Sequence, residues 1–132
     1  MKAAVFMIKS DAALGAARLL LGAGYADDAC NRAYYAMFDA ARAALLACNA
    51  PIESEAARTH RGLISAFGQY VVKPGRLPAA FGKSLNRAHE IRLLADYSGD
   101  PVETTEADDL VRNAGEFLAA VKALLDNLPD IA

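Results

Sequence analysis

The sequence lacks the features that announce most chemistries. No apolar run reaches the ~20 residues that a membrane-spanning helix needs. The opening MKAAVFMIKSD is apolar only from Ala3 to Ile8 before Lys9 and Asp11 interrupt it. That is short for the apolar region of a signal peptide, so a cytoplasmic protein is expected. Cysteine occurs twice, as Cys30 and Cys48. On one predicted helix they lie ~27 Å apart, too far to pair, and free thiols follow. Two distant histidines, His60 and His89, make no zinc site with those cysteines. The Glu-x-x-His spacing of di-iron bundles is missing, because Ala57 and Asn86 occupy the places of the glutamates. The glycines follow no phosphate-loop pattern, and no serine or cysteine sits in a nucleophile signature. Neither a metal nor a cofactor is expected. Internal repeats and low-complexity tracts are also absent.

Strands are missing for a different reason. Alanine is abundant, β-branched residues are few, and the apolar spacing follows three and four throughout. A first helix is predicted over residues 2–21, stopped by GAG at 22–24. A second runs over 27–48 and ends at NAP, a third over 55–72, and KPGRLP at 73–78 breaks the chain. The fourth covers 79–97 and closes at SGDP. For the fifth, Thr105 with Asp108 resembles a capping box. Behind it Ala107, Leu110, Val111, Ala114, Phe117, Leu118, Val121, Leu124, Leu125 and Leu128 form one apolar stripe. The fold class expected is all-α, an antiparallel up-and-down bundle of four to five helices, in one domain over residues 1–132.

The net charge of −2 is unevenly spread. From Arg58 to Arg92 seven basic residues face one acid, Glu90, whereas the rest of the chain has seven basic and fifteen acidic residues. Such asymmetry fits an anion-facing surface, or two halves that neutralise one another on folding. Helical periodicity sorts NRAYYAMFDAARAALL into sectors. Tyr34, Phe38, Ala41, Leu45 and Cys48 read as core, and Ala33, Ala40 and Ala44 as a close-packing flank. Asn31, Arg32, Tyr35, Asp39 and Arg42 gather on the remaining third. That third is either a solvated face with an Asp39–Arg42 ion pair or part of a binding patch. On the fourth helix Arg92 falls within the apolar side, with His89 one turn before it and Asp96 one turn after. A charge aimed at a core needs a partner or a ligand.

Three segments in order, NRAYYAMFDAARAALL, THRGLISAFGQYVVKPGRLP and RAHEIRLLADY, resemble the HEPN domain family in its short, single-domain prokaryotic form. The resemblance runs from about Tyr25 to Tyr97. It implies a helical bundle that forms homodimers, often encoded beside a minimal nucleotidyltransferase in toxin–antitoxin pairs. Active members are metal-independent endoribonucleases with a cleft built across the dimer, and typically carry an arginine followed four to six residues later by a histidine. Here no arginine precedes His60 or His89 at that spacing. Arg92 leads instead to Tyr97, and Arg32 to Asp39. Tyrosine, with a pKa near ~10, is a poor base at neutral pH, and aspartate does not change charge near pH 7 as histidine does.

The site expected is therefore a polar cleft. Asn31, Arg32, Tyr35, Asp39 and Asp96 would bind the ligand, with His89, Arg92 and Tyr97 as the catalytic candidates. The functions weighed are a dimeric module that binds RNA or a nucleotide beside a nucleotidyltransferase without cutting, a metal-independent ribonuclease with a rearranged Arg/His/Tyr site, and a purely protein-binding antitoxin or regulatory subunit.

Overall fold

A computed structural model describes residues 2–51 and 58–128. Among them the chain forms five α-helices and no strand: α1 (Lys2–Gly22), α2 (Ala26–Ala47), α3 (His60–Phe67), α4 (Ala79–Tyr97) and α5 (Thr104–Asn127). The second helix is the hub, with every other helix packed on it. Its alanines make that possible. Ala29, Ala33, Ala36, Ala40, Ala41, Ala43 and Ala44 are fully buried, so neighbours approach on nearly every side. On α1, the buried Ser10 hydroxyl reaches the α2 backbone and donates to the Ala36 carbonyl at 2.8 Å. The larger side chains fill the opposite layer, where Phe67 meets Phe117 at 5.3 Å between ring centres and Phe81 meets the same ring at 6.0 Å. The apolar stripe of α5 is buried from Ala107 to Val121, and half-buried at Leu124, Leu125 and Leu128.

The connections follow local chemistry. Gly24, Gly75 and Gly99 turn the chain with φ of +89°, +84° and +79°, a region that penalises a side chain. Asp27, in the first turn of α2, accepts from the Val102 N–H at 2.7 Å and ties the loop before α5 to the hub. The two cysteines are free, and burial pushes the Cys30 thiol up to about 11.

Two local expectations are corrected. The third helix does not run unbroken over 55–72. Its first positions lie outside the described residues, and at Thr59 the backbone is extended, with φ −79° and ψ 160°. The Thr59 hydroxyl accepts from the Gly62 N–H at 2.9 Å and starts a new helix there. That helix then widens into a π turn at Gly68–Val72, where the Lys73 N–H donates to the Gly68 carbonyl five residues back. Nor is there a capping box at Thr105 and Asp108. Glu103 is the residue before α5, it makes no side-chain cap bond, and Asp108 lies 3.7 Å from Arg112 instead.

Candidate functional site

Three helices bring their polar residues to one place. The cap at Thr59 makes His60 the first residue of α3, on the side that faces α2. From α4 come His89 and Arg92, and from α2 come Tyr34, Tyr35 and Phe38. The two imidazoles stack at 5.7 Å between centres with planes only 17° apart. Tyr34 lies beside them and touches both, 5.5 Å from His60 and 5.4 Å from His89. Its hydroxyl is 2.6 Å from His60 Nδ1, a bond in which either partner can carry the hydrogen. The Arg92 guanidinium covers the Tyr34 and Tyr35 rings at 5.5 and 5.3 Å. Phe38 closes the side, 5.0 Å from His60.

The electrostatics favour neutral rings that an anion would charge. Burial lowers the His60 pKa first, and the charges of Arg92 and His89 lower it further. For His89 burial is again the largest cause, with Arg92 and Arg61 adding to it and Glu90 opposing. The Tyr34 phenol is pushed well above its ordinary value by burial, so it stays protonated. Arg92 and Asp96 form an ion pair at 3.4 Å along one turn. Even so, Arg92 Nε and His89 Nδ1 are buried without a hydrogen-bond partner among the described residues. Unpaired buried polar atoms of this kind are uncommon and need an explanation. An arginine and two imidazoles around one point can bind a phosphate, hold it by charge-assisted hydrogen bonds and move protons on and off its oxygens.

The other expected residues fall at graded distances from this centre. Arg32 lies over Tyr35 at 5.1 Å and donates to Asn31 Oδ1 at 3.1 Å from Nη2, so these two continue the cluster along α2. Asp39 is half-buried, and burial raises its carboxyl pKa although Lys9, Arg42 and Arg32 act against the shift. No direct Asp39–Arg42 ion pair forms among the described residues. The Arg42 guanidinium lies over Phe6 and Phe38 instead. Tyr97 points elsewhere: it is 80 % exposed at the end of α4 and has no part in the ring cluster. His60 is the residue that sequence reasoning missed. Its only signal was its place in THRGL, since no chain spacing links it to Arg92.

A model of the HEPN domain matches residues 3–124. The chain belongs to the HEPN domain family. Its relatives include a UPF0332 protein of Gloeobacter violaceus, 38 % identical over 114 residues that cover 85 % of this chain and 86 % of the relative. A UPF0332 protein of Thermotoga maritima is 37 % identical over 114 residues, covering 85 % and 82 %. A Methanocaldococcus jannaschii protein named "Putative toxin MJ0605" is 32 % identical over 115 residues, covering 87 % and 82 %. In this HEPN chain the Arg92 charge lowers the pKa of both histidines, His89 one turn before it on α4 and His60 on α3. No helix among the described residues is long and apolar enough to cross a membrane, and no group of three or more metal-ligating side chains forms among them.

Proposed function

We propose that this chain is a toxin-type HEPN protein that cuts RNA without a metal ion, with His60 and His89 as its acid–base pair. The observation that carries this reading is the near-parallel imidazole stack, with the Arg92 charge acting on both rings. Two relatives with toxin in their names support it. In the reaction His89 takes the proton from the ribose 2′-hydroxyl, whose oxygen then attacks the adjacent phosphorus. The bond from phosphorus to the 5′-oxygen breaks, and His60 gives that oxygen its proton. Burial, with Arg92 and Arg61 adding to it, lowers the His89 pKa and so favours the neutral form that can act as base. When His60 is charged, its Nδ1–H can donate to the Tyr34 hydroxyl, which suits it to be the acid. Arg92 stabilises the charge that builds on the phosphate oxygens.

A homodimer and a nucleotidyltransferase as cognate partner belong to the same reading. One observation favours a second reading, a module that binds RNA or a nucleotide beside that partner and does not cut: the chain has no arginine four to six residues before a histidine. End-group analysis of RNA incubated with the protein in EDTA separates the two. Cleavage through the 2′-hydroxyl leaves a 2′,3′-cyclic phosphate and a 5′-hydroxyl. Products with 5′-phosphates would contradict the mechanism, and uncut RNA would favour the second reading.

A further inference from the structure

Beyond the imidazoles, further cations lie over rings of the first two helices. Lys9 Nζ stands 5.7 Å from the centre of Phe6. The Arg42 guanidinium lies 5.2 Å from the same ring and 5.4 Å from Phe38, which in turn touches His60. Past the histidines the row goes on through Arg92, Tyr35 and Arg32. Cation–π contacts hold helices together at ~0.5–1 kcal/mol each, and packing alone would account for one or two of them. Two observations go further than packing. Arg42 Nε is buried with no hydrogen-bond partner among the described residues, although Asp39 stands one turn away. Around Asp39 gather Lys9, Arg42 and Arg32, three cations to one carboxylate, so a positive excess remains there.

Cations that track a phosphate backbone are one part of single-stranded nucleic-acid recognition, and here the rings beneath them, buried Phe38 and half-buried Phe6, hold those cations in place. The geometry points to a second phosphate subsite, formed by Lys9 and Arg42 over Phe6, that holds an RNA strand next to the phosphate at the histidines. Arg42 and His60 face one shared ring, Phe38, so the two sites are neighbours on one path. The Asp39 carboxylate limits the positive excess of the cations. The inference rests on the cleavage reading for its ligand, but binding alone tests it.

The probe is a fluorescent 2′-O-methyl oligoribonucleotide, which lacks the attacking hydroxyl and stays whole. Its affinity is measured in EDTA against salt concentration, beside a dinucleotide too short to reach both sites. Lys9→Gln and Arg42→Gln should each reduce the slope of log affinity against log salt by about 0.7, the value of one phosphate contact on a single strand. Neither should change binding of the dinucleotide, and Asp39→Asn should tighten the oligonucleotide. Lys9 is exposed, so its variant keeps the fold even if Arg42→Gln does not. An unchanged slope in Lys9→Gln, equal losses on both probes, or no binding by the wild type would overturn the subsite. Reduced slopes in a protein that leaves ordinary RNA uncut would uphold the subsite and sink the acid–base reading alone.

Discussion

At the scale of single residues, the proposed function rests on groups that burial has made reluctant to charge. The ordinary histidine value is 6.5, and both imidazoles sit below it. Between the folded values and 6.5 the unfolded chain therefore binds more protons than the folded one. Stability should rise with pH across that window and fall as the pH drops through it. Urea unfolding at a series of pH values checks this, and His89→Gln should flatten the dependence. A wild-type stability that grows as the pH falls below 6.5 would show that the rings gain charge on folding. Which residues share the site was only partly legible in the sequence. Arg92 stood out because a charge on an apolar helix face needs a reason. His60 did not, because its partners come from α2 and α4, and no periodicity along the chain reports a contact between helices.

At the scale of elements, the alanine run of α2 was read correctly as a surface for close approach. Alanine spacing encodes distance between helices directly. Ala40 is fully buried against its neighbours, so Ala40→Leu should overpack the hub and destabilise the protein by about 1–3 kcal/mol, measured by chemical denaturation. A neutral effect would mean that the helices can move apart freely. The restart at Thr59 was not legible. Arg58, Thr59 and His60 lie in a helix-compatible stretch, and only the extended backbone of Thr59 and its bond to Gly62 reveal the cap. That small device sets His60 at the head of α3. The false capping box has a plainer cause: α5 begins at Thr104, with Glu103 before it, so Thr105 lies inside the first turn.

At the scale of the molecule, the basic and acidic parts of the chain meet in a few places. Arg87 reaches Glu106 at 3.8 Å, and Arg92 reaches Asp96 on its own helix. The cationic row over α1 and α2 lies largely outside the basic segment, so the charge count along the sequence located only half of the proposed path. Lys9, Arg32 and Arg42 join it through folding, since α2 carries two of them beside α1. A bundle built on one alanine-rich hub can thus gather charges from three helices around a small aromatic centre. The activity proposed for this centre is RNA cleavage. It is tested most directly by a cleavage time course in EDTA, comparing wild type with His60→Gln and with His89→Gln. Metal-independent cleavage that each substitution slows by about 10²–10⁴-fold is predicted, the usual worth of a positioned acid or base. Cleavage that persists at the wild-type rate in both variants would contradict the account.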